Sequence, residues 1–205
     1  MTDTMAAPAV AAEAEHAPPP GPLDFEIVPL KGLPIVGVIM ALLIAAIASN
    51  KLWPLEFFHV AGGAAWTIID LFLGLILGPI MGKMSIPARI EFTTKLMPKM
   101  VLIMPTVVTA TLAAGWQLST YLGTNITGNP LHGWVVASMI VVGVMAILAL
   151  GLLEPANIAV LFELKKPRPN PAVIERLMKR FMYSAGILGA MQVATLIIMT
   201  KLASG

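Results

Sequence analysis

Five stretches of this chain are long, apolar and almost free of charge, and they decide what it can fold into. A helix rises about 1.5 Å per residue, so about 20 apolar residues cross the hydrocarbon layer of a membrane. A helix also satisfies its own backbone hydrogen bonds, as lipid requires. The pattern predicts an all-α integral membrane protein, a bundle of five transmembrane helices. The predicted spans are residues 32–50, 55–82, 100–122, 131–153 and 181–200.

The composition narrows the chemistry that the protein can perform. Hydrophobic residues make up 58% of the chain and charged residues 12%, so the expected partner is the lipid bilayer. The formal charge of +2 gives no basic surface for nucleic acid, and none is expected as a partner. With no cysteine, disulfides, iron-sulfur clusters and covalently attached haem are excluded. Any metal must be held by His, Met, Lys or a carboxylate.

The two ends of the chain differ in character. Residues 1–24 are rich in Ala and Pro and contain acids, which predicts a disordered tail and is unlike a cleaved secretory signal. Residues 25–205 are predicted to form a single transmembrane domain. Positive residues concentrate in loops 83–99 and 165–180, and the excess of Lys and Arg predicts that these two loops are cytoplasmic.

The second predicted span carries a stripe of unusual residues. At about 100° per residue, His59, Gly63, Trp66 and Asp70 share one helix face. Glycine removes side-chain bulk, so either a flat macrocycle or a neighbouring helix can approach the backbone, and the tryptophan supplies an aromatic wall. Imidazole is the usual axial ligand of haem iron.

A second imidazole is available at similar predicted depth. His132 begins the fourth predicted span, so His59 and His132 can hold one b-type haem from two helices. The alternative is that both histidines are boundary residues bonded to headgroups or backbone. Trp53 and Trp134 lie beside them as an aromatic belt.

Two segments carry a resemblance to a known superfamily. His59 and Trp66, followed by an aliphatic run, resemble the first helix of small bacterial membrane proteins that include the copper-resistance protein D family and the membrane-bound protoporphyrinogen oxidase. The segment KLMPKMVLIMPTVVTATLAAGW is similar to the second helix of that oxidase. The two segments cover about a quarter of the chain, and the extra first span is a departure.

The resemblance implies a haem-associated helical bundle in the bacterial cytoplasmic membrane. In the oxidase family a histidine and a lysine ahead of the Met-Pro helix are implicated in haem binding. His59 matches the first, and the lysine is Lys95 or Lys99. The prediction is a multi-pass protein that binds haem b and takes part in electron transfer or haem-linked oxidoreduction, with His59 and His132 as axial ligands. A quinone or other membrane subunits are further expected partners.

Two acids interrupt the predicted spans. An ionised carboxylate inside the bilayer is costly and is retained where it has a partner or a proton path. Asp70 is predicted either to relay protons or to bond the threonines of the third span, Thr106, Thr109 and Thr111. Glu154 is predicted to be neutralised by a lysine, one of Lys83, Lys95 and Lys99, and Pro155 is expected to bend its helix.

Methionines suggest a second function. Met97, Met100 and Met104 follow an i, i+3, i+7 pattern, and thioethers suit Cu(I), so a copper transporter is one alternative. Met is also a general filler of apolar gaps. A cofactor-free accessory subunit of a larger membrane complex is the other alternative. No nucleophile elbow, phosphate loop or zinc-protease motif is present, so hydrolase chemistry is not expected.

Overall fold

Five helical rods account for most of the fold. The computed structural model describes residues 23–205, and in that range it contains no strand and five helices long and apolar enough to cross a membrane. The predicted membrane class is therefore confirmed. The predicted tail lies outside the described residues except for Leu23 and Asp24. We name the rods spans 1 to 5 in chain order: Leu30–Ser49, Leu52–Lys83, Ile86–Tyr121, His132–Leu164 and Pro171–Ser204.

Spans 2 and 4 each contain a wider π-helical turn. Span 2 consists of α-helix Leu52–Leu71, π-helix Phe72–Leu77 and α-helix Gly78–Lys83. Span 4 consists of α-helix His132–Leu148, π-helix Ala149–Leu153 and α-helix Glu154–Leu164. Pro79 and Pro155 each follow a π-helix by two residues. A proline ring crowds the carbonyl four residues earlier, and the wider turn makes room for it.

The other three spans are simpler. Span 1 begins with a 3-10 turn, Leu30–Gly32, and continues as α-helix Leu33–Ser49. Span 3 is one α-helix, Ile86–Tyr121, which begins well before the predicted residue 100 and passes through Pro98 and Pro105. Span 5 is one α-helix, Pro171–Ser204. The Asn170 side chain accepts from the Ala172 N–H at 3.0 Å and caps this helix, which begins ten residues before the predicted residue 181.

Spans 2 to 5 form a closed ring of four helices. Span 2 packs against spans 3 and 5, and span 4 packs against the same two. Spans 2 and 4 are therefore diagonal. Span 1 lies outside the ring, mainly against span 3. A small cluster of Leu43, Ala110 and Ala114 joins it to the bundle.

The main core runs along the inside of the ring. It is built from residues of spans 2 to 5, among them Trp66, Val108, Met145, Leu161 and Leu188. A Cβ on Gly74 would make only an ordinary contact with the backbone of span 5, 3.5 Å from the Ala185 carbonyl oxygen. Gly143 and Gly186 face open space in the Cβ direction, so neither lies at a close helix contact.

The alternating directions of the spans define two ends of the bundle. Connections 84–85 and 165–170 share one end, which we call the basic end because Lys83, Lys165, Lys166 and Arg168 lie there. Connections 50–51 and 122–131 share the opposite end. At the basic end the Arg89 guanidinium donates to the carbonyls of Gly82 and Met84, both at 3.3 Å, and closes the turn between spans 2 and 3.

Candidate functional site

The His59 ring lies against span 3, near the end opposite the basic end. Its Nδ1 atom is 3.0 Å from the carbonyl oxygen of Thr111. A Cβ on Gly115 would lie 2.5 Å from Nδ1 and 2.6 Å from Cε1, so only glycine at that position leaves room for the ring. The imidazole is half-buried and held between two helices.

This contact decides which ring nitrogen carries the hydrogen of the neutral imidazole. The partner of Nδ1 is a carbonyl oxygen, which can only accept, so Nδ1 donates. Nε2 then carries the free lone pair. Nε2 of His59 has no hydrogen bond within residues 23–205, and it is not among their fully buried unpartnered atoms. The bond to a backbone carbonyl agrees with the boundary interpretation of His59, and a metal-ligating histidine has the same arrangement, with one nitrogen bonded to a carbonyl and the other available.

The glycines beside His59 are covered by a helix. A Cβ on Gly62 would lie 2.5 Å from Thr111 Oγ1, and a Cβ on Gly63 would lie 3.6 Å from Thr111 Cγ2. The sequence left open whether a flat macrocycle or a neighbouring helix approaches the backbone here. The structure has a neighbouring helix, span 3, at both glycines. Thr111 therefore contacts the stripe in two ways, through its carbonyl and through its side chain.

The remaining predicted haem residues lie in different surroundings. His132 is the first residue of span 4, and its Nδ1 is buried without a partner among the described residues. His59 and His132 belong to diagonal helices, so any group that they share lies across the ring. Lys99 is exposed and lies 12 residues before Thr111 on the same helix, about 18 Å along its axis. The structure does not bring Lys99 to His59.

Asp70 belongs to a buried polar network between spans 2 and 5. Gln192 Nε2 donates to Asp70 Oδ2 at 3.2 Å, and Thr67 Oγ1 donates to Gln192 Oε1 at 2.9 Å. The Trp66 indole lies beside the same carboxylate, but its Nε1 is buried without a hydrogen-bond partner among the described residues. Asp70, Gln192 and Trp66 are almost completely buried.

The prediction that Asp70 bonds the threonines of the third span is wrong, because Asp70 has no hydrogen bond to Thr106, Thr109 or Thr111. Thr106 donates to the carbonyl of Leu102 at 2.7 Å, and Thr111 donates to the carbonyl of Val107 at 2.8 Å. Both hydroxyls therefore bond within their own helix, as threonines inside membrane helices commonly do. Asp70 takes its hydrogen bond from the glutamine of span 5 instead.

The Glu154 carboxyl is the second buried acid, and the predicted lysine does not reach it. Within residues 23–205 the ion pairs are Lys95 with Glu91, Lys166 with Glu163, and Lys179 with Glu175. The side chain of Asn157 lies beside Glu154 instead, one turn along the helix. Glu154 Oε1 and Asn157 Oδ1 are both buried without a hydrogen-bond partner in the described range.

Methionines of three spans meet at one small cavity. It has a volume of about 20 Å³, and its lining includes Met81, Met97, Met100 and Met182. Two of these belong to the predicted copper path. Met104 does not line the cavity, although it is equally buried. Thr93 and Asn157 supply the polar part of the wall.

Several residues of these sites were not singled out from the sequence. Gln192 stands alone in an apolar run, and an isolated amide inside a membrane span is a signal for a buried hydrogen bond. Gly115 in AAGW gives no comparable signal. Its role is to leave space for the His59 ring, and the sequence does not show that this ring lies beside it. The described residues contain no group of three or more His, Cys, Asp or Glu side chains arranged to hold a metal ion.

Comparison with known proteins adds no assignment. No family profile, curated protein or solved structure matches the chain. The function is therefore argued from the sites themselves.

Proposed function

We propose that this membrane protein binds haem b and takes part in electron transfer or haem-linked oxidoreduction, with His59 as an axial ligand. The observation that carries the proposal is the contact between His59 Nδ1 and the Thr111 carbonyl. The resemblance of the His59 to Trp66 segment to haem-associated bacterial membrane proteins supports it independently.

The residues around His59 fit an axial imidazole. The Thr111 carbonyl fixes the tautomer and the orientation of the ring, so Nε2 is presented as a lone-pair donor. Gly115, on the same helix as Thr111, leaves room for the Nδ1–Cε1 edge of the ring, so the imidazole can lie against span 3. Bound haem would supply one-electron chemistry at its iron. The chain would supply the ligand, its orientation and a surrounding of low polarity.

The second ligand is His132 in this proposal. It lies at the same end of the bundle as His59, and its buried Nδ1 has no partner among the described residues. Asp70 lies about 16 Å deeper than His59 along span 2, too far to touch the iron directly. In this proposal Asp70 holds spans 2 and 5 together through its hydrogen bond with Gln192.

A specific observation favours copper transport as a second candidate. Thioethers from three spans line the cavity, and Met97 and Met100 of the predicted copper path are among them. Thioethers are ligands that Cu(I) prefers. The position of Met104 away from this cavity interrupts the path that the sequence suggested. An accessory subunit of a larger complex would need neither the histidine nor the methionines.

An absorption spectrum of the detergent-purified protein tests the proposal. We expect a b-type signal in the reduced-minus-oxidised difference spectrum, lost in His59→Ala and weakened or shifted in His132→Ala. Met100→Leu is the matched control and should keep the signal. A colourless protein that is folded and inserted would overturn haem binding. Copper uptake sensitive to Met100→Leu would then support the copper candidate, and co-purification with partner subunits would support the accessory role.

A further inference from the structure

We infer that a groove on the outer side of span 2 binds one phospholipid whose headgroup carries a primary amine. The ammonium group of this lipid pairs with the Glu56 carboxylate, and one of its acyl chains lies along the groove. We call this surface the span 2 groove. It lies at the end opposite the basic end, is separate from His59, and does not depend on the proposed haem function.

The span 2 groove is open to the lipid and belongs to a single helix. Its volume is about 300 Å³, and its lining residues are Trp53, Glu56, Phe57, Val60, Ala61 and Ala64. At about 100° per residue these positions fall on one side of span 2, and all six residues are exposed. Ala61 and Ala64 are small, so they leave a depression beside the larger side chains. His59 and Asp70 lie on another side of the helix, toward spans 3 and 5.

Glu56 is the one charged residue among those that line this groove. It takes part in none of the ion pairs within residues 23–205, and the nearest lysine along the chain, Lys51, does not pair with it. The next acid of span 2 is Asp70, about 21 Å deeper along the helix axis. A carboxylate beside lipid is costly and is retained where it has a partner. The described residues supply no cation for Glu56, so its partner comes from outside them.

Two aromatic rings beside Glu56 attract the same kind of charge. Trp53 and Phe57 stack with their ring centroids 5.7 Å apart and an angle of 19° between the ring planes. Both rings line the groove together with Glu56, and Trp53 is 72% exposed. The face of an aromatic ring, above all that of Trp, attracts a ligand cation. A carboxylate and an accessible Trp ring in one groove therefore favour a headgroup that ends in an ammonium.

The carboxylate also distinguishes between kinds of ammonium. A primary ammonium can donate N–H hydrogen bonds to Glu56, and hydrogen bonds between two charged groups are the strong ones. A quaternary ammonium has no N–H to donate. The phosphatidylethanolamine headgroup satisfies both the rings and the carboxylate.

The length of the groove matches one lipid in one leaflet. Trp53 is the second residue of its helix, and an exposed tryptophan at a helix end lies at the level of the headgroups. Ala64 lies 11 residues further along the helix, about 16 Å along the axis. Half of the hydrocarbon layer measures about 15 Å. The groove therefore runs from the headgroups toward the middle of the bilayer, as an acyl chain does.

The size of the groove favours a lipid over a partner protein. One side of a helix of this length offers a surface of about 16 by 10 Å. A stable protein interface buries about 800 Å² on each partner, which is several times more. The apolar part of the groove is continuous with the headgroup site at Glu56, and a single phospholipid fills both.

Coupling with a zero-length carbodiimide in native membranes tests the contact. This reagent joins a carboxylate to a primary amine that touches it and adds no spacer. We expect the peptide that contains Glu56 to gain one phosphatidylethanolamine through an amide bond, and we expect Glu56→Gln to form no such adduct. Coupling of Glu56 to a lysine of another protein would overturn the lipid site, and so would the absence of any lipid adduct.

Native mass spectrometry of the delipidated protein in detergent tests the selectivity. Phosphatidylethanolamine and phosphatidylglycerol, both with palmitoyl and oleoyl chains, are added in equal amounts. We expect the first bound lipid to be phosphatidylethanolamine about fivefold more often, since an ion pair and a ring contact each favour the ammonium modestly. Phosphatidylcholine should fall between the two lipids. Equal binding of phosphatidylethanolamine and phosphatidylglycerol would overturn the proposal.

Three variants test the assigned side chains in the same measurement. Glu56→Gln keeps the size of the side chain and should abolish the preference, and Trp53→Leu should lower it. Trp116→Leu is the matched control, because Trp116 is also exposed, at 61%, but lies on span 3 outside the groove. Glu56 and Trp53 are exposed, so their substitution leaves the core intact, and thermal unfolding checks this. A preference that persists in Glu56→Gln, or falls equally in Trp116→Leu, would overturn the assignment.

Discussion

Gln192 Nε2 lies 3.2 Å from Asp70 Oδ2 and joins two helices across 122 positions of the chain. Without Gln192, Asp70 would be a buried acid with no hydrogen-bond donor among the described residues, because Trp66 Nε1 makes no hydrogen bond to it. The amide of Gln192 also accepts from Thr67, so one side chain bonds to two residues of span 2 that lie about one helical turn apart. The contact between spans 2 and 5 therefore depends on this residue.

We predict that Gln192→Leu lowers the free energy of unfolding by about 1–3 kcal/mol, because Asp70 loses its donor while it stays buried. Thermal unfolding in detergent, or unfolding by a denaturing detergent, measures the change. The double variant Asp70→Leu with Gln192→Leu should recover most of the loss, since both polar partners are then absent.

Gln117→Leu is the control for this experiment. Gln117 Nε2 donates to Asn50 Oδ1 at 2.8 Å, but that pair is exposed at the end opposite the basic end. Its loss should change stability by no more than about 0.5 kcal/mol. An equal loss in Gln117→Leu and Gln192→Leu would show that burial of Asp70 does not matter here.

The sequence predicted the membrane class, the five spans and the buried position of Asp70, because each depends on the residue itself and its local run. The partner of Asp70 could not be predicted in the same way. Thr106 and Thr111 were reasonable candidates, yet a threonine can bond the carbonyl of its own helix, and both do so. Which helix lies beside Asp70 depends on the order of spans 2 to 5 around the ring, and a local sequence pattern does not contain that order.

The π-helices were missed for a related reason. Pro155 was expected to bend span 4, but the strain of a proline can be relieved by a kink or by a wider turn. The structure has the wider turn, Ala149–Leu153, and another before Pro79. The fit of the His59 ring over Gly115 likewise depends on the register between spans 2 and 3, which no local pattern contains.

The two adjacent glycines of span 2 should respond differently to alanine. A Cβ on Gly62 meets Thr111 Oγ1 at 2.5 Å and the Thr111 backbone N at 3.3 Å, whereas a Cβ on Gly63 makes only an ordinary contact. We predict that Gly62→Ala costs about 1–3 kcal/mol through overpacking and that Gly63→Ala costs less than about 1 kcal/mol. Parallel thermal unfolding of the two variants in detergent checks this, and the reverse order would contradict the packing.

Gly115→Ala tests how the His59 ring is held. The added methyl group would lie 2.5 Å from Nδ1, so the ring must move and its bond to the Thr111 carbonyl is lost. If His59 is an axial ligand, we expect Gly115→Ala to lose at least half of the b-type signal per chain. Gly143→Ala, in open space on span 4, is the control and should leave the spectrum unchanged. An unchanged spectrum in Gly115→Ala would argue against ligation by this ring.

The connection between spans 4 and 5 is fixed by Glu163. Its carboxylate pairs with Lys166 and accepts from the Asn170 N–H at 3.0 Å. We predict that Glu163→Ala speeds trypsin cleavage after Lys165 by about 5- to 30-fold, which corresponds to a loss of about 1–2 kcal/mol in local stability. Glu163→Gln keeps an acceptor for the Asn170 N–H. Its rate of cleavage after Lys165 should therefore lie between the rates of the unmodified protein and of Glu163→Ala.

The matched control for that cleavage is Glu175→Ala. Glu175 also pairs with a lysine of its own helix, Lys179, but both side chains are about two-thirds exposed. Exposed pairs of this kind contribute about 0.3–0.5 kcal/mol. Cleavage after Lys165 should therefore stay at the rate of the unmodified protein, and faster cleavage in Glu175→Ala would indicate general unfolding instead of release of the loop.

The orientation in the membrane can be measured directly, because the chain contains no cysteine to give background labelling. Ile126 lies in the connection at the opposite end and is 63% exposed, and Arg168 is exposed at the basic end. The excess of Lys and Arg predicts that the basic end is cytoplasmic. A membrane-impermeant maleimide should therefore label Ile126→Cys in intact cells and Arg168→Cys only after the membrane is opened.

The loss of one arginine in Arg168→Cys does not reverse this expectation, because Lys165 and Lys166 remain in the same connection. Labelling of Arg168→Cys in intact cells, with Ile126→Cys protected, would contradict the predicted orientation. The result also places the two sites. With the basic end in the cytoplasm, His59 lies toward the outer surface and the cavity at Asn157 lies toward the inner one. Under the haem proposal, electrons would then reach a haem held by His59 from a donor in the membrane or on its outer side.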